Sequence, residues 1–163
     1  MIVISDTTPI ISLLKINKLS LLQVLFGNVI IPQAVYNELV SNPKYTNEAV
    51  VIFNTSYISI KKVENRQQVD ELRNNSGLDI GESEAIAYSK MVKADLLLMD
   101  ELKGRSVAKQ LGLSITGTIG ILIQAFNENL IFKEEILNSI KILKESGRYI
   151  SESLYNRLVA RIS

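Results

Sequence analysis

Four acidic residues stand where a carboxylate can do chemistry. Asp6 and Asp100 share one local context: a short apolar run, then the acid, then the start of a helix. The runs at 2–4 and 95–99 read as buried strands. In a parallel sheet such strand ends lie along one edge, where open α/β folds bind ligands. Glu38 and Glu82 lie on helices and border their apolar faces. Glu38 is about 60° from Val35 around its helix, next to the stripe of Val35 and Leu39. Glu82 shares a face with Ala85, Ile86 and Ser89, while Glu84 shares one with Ala87, Tyr88 and Met91. Small residues beside Glu82 suit close approach to a sheet, so Glu82 is expected to point inward. Glu84 is expected to support it from behind or to face solvent. Each acid alone has an ordinary explanation: Asp6 and Asp100 as helix caps, Glu38 as an exposed helix residue, Glu82 as the third position of a capping box begun by Asp79. Two acids in matching strand-end positions favour a site.

Carboxylates gathered in one place repel one another, so some must be protonated or share a cation. Mg²⁺ suits such a cluster, because it accepts a few carboxylates and keeps water in its remaining positions. It also lowers the pKa of bound water and stabilises the oxygens of an in-line phosphoryl displacement. Composition narrows the alternatives. The 163 residues include no Cys and no His. Thiolate nucleophiles, Ser-His-Asp triads and Cys- or His-ligated zinc are therefore excluded. The net charge of +1 predicts no partner from bulk charge, so any nucleic-acid site must be local. The start MIVISD is interrupted by charge too soon for a signal peptide, and no apolar run spans a membrane. A cytoplasmic protein is expected.

The elements that must position these acids alternate along the chain. Apolar runs at 2–4, 29–31, 58–60, 95–99 and 113–115 predict five strands, with 58–60 at an edge. Helices are predicted between them: 10–15, with Thr8 as cap and Pro9 in the first turn, then 19–26, stopped by Gly27. Further ones follow from Pro32, at 48–54 and 64–74, then at 79–92, 101–111 and 116–127. Two amphipathic helices, 132–145 and 151–162, follow without a strand between them. Almost unbroken apolar strands alternating with helices predict a parallel sheet covered on both faces. Apolar content of 47% and 163 residues fit one folded unit.

The segments VISDTTPIISLLKI, VIIPQAVYNEL, DIGESEAIAYS, ADLLLMDELKGRSVAKQLGL and TGTIGIL occur in that order. Through them the chain resembles the PIN-domain nucleases, and most closely a prokaryotic branch of unknown function. The resemblance implies a three-layer α/β/α sandwich with a mainly parallel sheet, over residues 1–125, followed by a C-terminal helical extension, 126–163, packed on the same domain. It implies Mg²⁺ or Mn²⁺ held by Asp6, Glu38, Glu82 and Asp100. The eighteen-residue separation of Glu82 and Asp100 matches that of the family's third and fourth acids. It implies hydrolysis of RNA, leaving a 3′-hydroxyl and a 5′-phosphate. Many proteins with this fold are toxins, often homodimers, restrained by a cognate antitoxin protein, and the C-terminal helices suit dimerisation or antitoxin docking.

The chain departs from the family pattern at two places. Glu82 stands where Asp is usual, and Leu98 where many toxins carry a hydroxyl residue. Thr7, Thr116 or Thr118 are the candidates to supply that hydroxyl instead. Lys103 and Arg105 begin the helix after Asp100, within reach of a substrate phosphate, and Lys15 and Lys18 are expected to flank the same mouth. Tyr36 and Tyr88 either stack on bases or belong to the core. A catalytically weak PIN fold that binds RNA or an antitoxin is the alternative reading. A phosphorylated receiver-type domain fits less well, because Asp6 is followed by Thr7 and Thr8 and not by a second acid.

Overall fold

The computed structural model describes residues 1–163. Five strands, β1 (Val3–Ser5), β2 (Val29–Pro32), β3 (Ile58–Lys61), β4 (Leu96–Leu98) and β5 (Ile115–Thr116), form one parallel sheet in the order β3-β2-β1-β4-β5. Ten α-helices connect and cover it: α1 (Thr7–Lys15), α2 (Leu21–Phe26), α3 (Gln33–Ser41), α4 (Thr46–Phe53), α5 (Arg66–Ser76), α6 (Ile80–Val92), α7 (Leu102–Gln110), α8 (Thr118–Asn127), α9 (Lys133–Glu145) and α10 (Glu152–Ile162). The architecture is an α/β/α sandwich.

Strand periodicity divides the core into two. Val3, Val29, Ile31 and Leu98 face the larger cluster, which α1 to α4 and α8 to α10 cover. Ile4, Leu97 and Met99 face the smaller one, under α5, α6 and α7. This is why the strands read as unbroken apolar runs. The edge position expected for the strand at 58–60 is the one β3 occupies. No helix is long and apolar enough to cross a membrane.

The first helix starts earlier than the sequence suggests. Asp6, with φ −77° and ψ 175°, is the N-cap in place of Thr8, and Pro9 falls at the third helical position. Pro is tolerated there because the first four N–H groups of a helix have no intrahelical partner. The chain thus turns from strand to helix at the acid itself. The pairing of Ser5 with Leu98 sets the ends of β1 and β4 side by side. Connections leave β1 toward β2 on one side and reach β4 on the other, so the crevice between them is the switch point of the sheet.

The C-terminal helices complete the larger core. Ile136, Ile140 and Leu143 of α9 and Leu158 and Ile162 of α10 are buried in it with Ile10 and Leu122. Leu158→Ala should therefore cost about 2–5 kcal/mol, read by urea denaturation. A cost no larger than that of an exposed substitution would show that α10 is only loosely docked.

Candidate metal centre at the switch point

Asp6 closes β1, the central strand, and opens α1, so its carboxylate is placed by the sheet and held beside a helix N-terminus. It is almost fully buried, with 5% of its surface exposed, and no Lys or Arg is paired with it. Burial pushes its pKa up to about 8. The charges of Asp79, Glu82 and Glu38 push the same way, and only the backbone N–H of Thr7 opposes them. Glu38, on α3, accepts a 2.7 Å hydrogen bond from the Thr7 hydroxyl. Thr7 is itself buried. Its hydroxyl thus orients an acid.

Glu82 reaches the same neighbourhood from the first turn of α6. Its Oε2 accepts from Asp79 N at 3.0 Å, while Asp79 Oδ1 accepts from Glu82 N at 2.8 Å, completing the capping box. Glu82 is half-buried, and desolvation, then Asp79, Glu101 and Glu38, raise its pKa against the Asp79 N–H. Gly81 faces α3: a Cβ there would make ordinary contacts with Glu38 Oε2 at 3.4 Å and Asp79 Oδ1 at 3.5 Å.

Of the two positions expected for Glu84, the structure excludes the solvent-facing one. Glu84 is buried, pairs with Arg66 Nη1 at 2.6 Å and accepts from Ala34 N at 3.0 Å. It therefore ties α6 to α5 and to the start of α3. The reason lies in helix coverage: α5 and α3 both flank α6, so more than one of its faces is buried.

Asp100 follows β4 and has other partners. Its Oδ1 accepts from Thr118 N at 2.7 Å, and its Oδ2 accepts from Thr118 Oγ1 at 2.7 Å. Arg148, from the loop between α9 and α10, pairs with Oδ2 at 2.8 Å and also donates to Ser12 Oγ. Gly117 permits the approach, since a Cβ there would stand 2.5 Å from Asp100 Oδ1. Of the two basic residues that begin the helix after Asp100, Arg105 donates to Met99 O at 2.9 Å beside this acid, and Lys103 is directed at Gly77 O at 3.5 Å near the start of α6. Thr116 ends β5 next to them.

Lys15 and Lys18 do not flank the mouth. Helix α1 runs away from Asp6 and carries Lys15 about 13 Å off along its axis, while Lys18 pairs with Glu135 of α9 at 2.8 Å. Tyr36 packs on Phe53, and Tyr88 against the smaller core. Two acids of the neighbourhood escaped sequence reasoning, Asp79 and Glu101. Asp79 had already been explained as a cap, and the adjacency of Asp79 to Glu82 was the signal available.

Hard oxygen donors with no ammonium or guanidinium partner are the donor set of Mg²⁺ or Mn²⁺. No three acids stand close enough to ligate one ion together. The four acids expected to hold Mg²⁺ or Mn²⁺ are therefore not gathered around one point. On chemistry, one or two of Asp6, Glu38 and Glu82, with a shell of water, fit such an ion.

A family model described as "DUF3368: PIN domain" matches residues 2–163. The chain belongs to the PIN-domain family. The match includes the C-terminal helices as well as the sheet, and PIN domains are generally nucleases. No curated protein matches the sequence.

The raised pKa of Asp6 has a definite sign in stability. The folded state holds this proton up to about pH 8, whereas the unfolded chain releases it near 3.8. Without divalent ions, stability should therefore fall as pH rises through that window, by on the order of a few kcal/mol. Asp6→Asn should remove most of the fall. Parallel urea-denaturation profiles for the two proteins in EDTA would contradict the burial of an unpaired carboxyl group.

Proposed function

We propose that this PIN-domain protein is a metal-dependent endoribonuclease that hydrolyses RNA phosphodiester bonds at the β1–β4 crevice. The observation that carries the proposal is the buried Asp6 carboxyl group, ringed by acids and lacking any cationic side chain. A divalent ion of the Mg²⁺ or Mn²⁺ type would supply the missing positive charge and would activate water for attack on phosphorus. One or two of Asp6, Glu38 and Glu82 would hold it as carboxylates with a shell of water, and Asp100 bounds the site from the other side. Thr7 keeps Glu38 aimed into the site, and Thr118 does the same for Asp100. The P–O3′ bond breaks, the water oxygen joins phosphorus, and the products are a 3′-hydroxyl and a 5′-phosphate. The same reading makes the chain the toxin of a toxin–antitoxin pair, active as a homodimer in the cytoplasm and restrained by an antitoxin protein.

A second reading, a PIN fold that binds RNA or an antitoxin without cutting, is favoured by one observation. Arg148 already neutralises Asp100, which leaves only part of the acid set for a cation.

Cleavage of a fluorescent single-stranded RNA separates the two readings. With Mg²⁺ or Mn²⁺ the wild-type chain should cut it, and EDTA should stop the reaction. Asp6→Asn should abolish cleavage, and Thr118→Val, which frees Asp100 to reorient, should reduce it roughly 10–100-fold. Cleavage by Asp6→Asn at the wild-type rate would reject the site, and a wild-type chain that binds RNA but leaves it intact would favour the second reading.

A further inference from the structure

A cavity of about 460 Å³ lies between the end of β5, α8 and the C-terminal helices, on the Asp100 side of the crevice. Its charged lining is one-sided. The chain has six Arg and twelve Lys. Four of the Arg line this cavity, namely Arg105, Arg148, Arg157 and Arg161, with no Lys and with Asp100 as the only acid. Arg148 pairs with Asp100, and a backbone carbonyl orients Arg105. Arg157 and Arg161 are exposed and pair with no acid. They stand four apart on α10 and so share one face. Leu154 and Leu158 of the same helix, with Ile119 and Ile123 of α8, make the floor apolar. Tyr149, which is 86% exposed, stands at the rim.

Each feature has a counterpart in one ligand class. Guanidinium groups, unlike ammonium groups, match phosphate oxygens with two parallel donors. Unpaired like charges on one helix face repel, and an anion relieves that repulsion. An apolar floor with an aromatic ring at the rim accepts bases, whose faces stack without regard to sequence. The cavity also borders Asp100, one of the acids at the switch point. An acidic protein segment would also satisfy the arginines, and the ribonuclease reading selects RNA over it.

We propose that this cavity is a binding site for the phosphates and bases of a single-stranded RNA, with Arg157 and Arg161 as phosphate contacts. The proposal rests on the ribonuclease reading for its choice of RNA, but it concerns binding and not cleavage.

The test is fluorescence anisotropy of the full chain with a labelled single-stranded RNA in EDTA, across a salt series. Arg157→Ala/Arg161→Ala should weaken binding about tenfold or more at moderate salt and flatten the plot of log K against log salt by about 1.4, the value for two lost phosphate contacts on a single strand. Lys61→Ala/Lys62→Ala removes the same charge at β3, the opposite sheet edge, and should leave the slope unchanged. Should the alanine pair not fold, Arg157→Lys/Arg161→Lys keeps the charge and should bind more weakly with the wild-type slope. Equal weakening by the arginine and lysine pairs would overturn the proposal, as would wild-type affinity in the arginine variants or no RNA binding by the wild type. Loss of polyglutamate binding with RNA binding intact would assign the cavity to an acidic protein segment. RNA binding through these arginines by a chain that does not cleave would sustain this proposal while rejecting the nuclease reading.

Discussion

A carboxyl group that is taken out of water must keep its proton or meet a positive charge. Asp6 is in that position, and its surroundings admit only one of the two in the absence of an ion. Glu38, Glu82 and Asp79 all push it toward the protonated form, and no basic side chain answers. The sheet order places β1 in the middle, with β2 and β4 on its two sides. That placement buries the end of β1, and with it the acid. The capping box of α6 brings Glu82 to the same point, and the Thr7 hydroxyl fixes Glu38. Structural devices of ordinary kinds thus assemble an arrangement that costs stability at neutral pH.

The crevice has two electrostatic halves. On the Asp6 side, acids gather without cations. On the Asp100 side, arginines gather around one acid, which Thr118 and Arg148 already satisfy. The C-terminal helices make the second half. They bury Leu158 and Ile162 in the main core and carry Arg148, Arg157 and Arg161 on the same structure. Core packing and charge placement are therefore two outcomes of one docking event. In an overall charge of +1 this separation is invisible.

Much of this was legible in the sequence, because short-range rules governed it. The strands announced themselves as apolar runs, and Asp79 with Glu82 as a capping box. The matched contexts of Asp6 and Asp100 predicted strand ends along one edge of the sheet, and the pairing of β1 with β4 makes them neighbours. The failures came where long-range packing decides. Helical angles separated Glu82 from Glu84 but gave no sign that α3 and α5 would both cover α6 and bury Glu84 against Arg66. Lys18 seemed close to the mouth in sequence, yet α9 supplies Glu135 as its partner from 117 residues away. Arg148, Arg157 and Arg161 were invisible for the same reason. Only the docking of α9 and α10 brings Arg148 to Asp100, whereas Arg105 lies on the helix that follows that acid.

The central claim is that the Asp6 carboxyl group holds a proton that a divalent cation replaces. Isothermal titration calorimetry with Mn²⁺ at pH 7, in two buffers of different ionisation enthalpy, measures that exchange directly. The account predicts release of about one proton per ion bound, and a release that disappears in Asp6→Asn. Binding without proton release, or no binding at millimolar Mn²⁺, would contradict it.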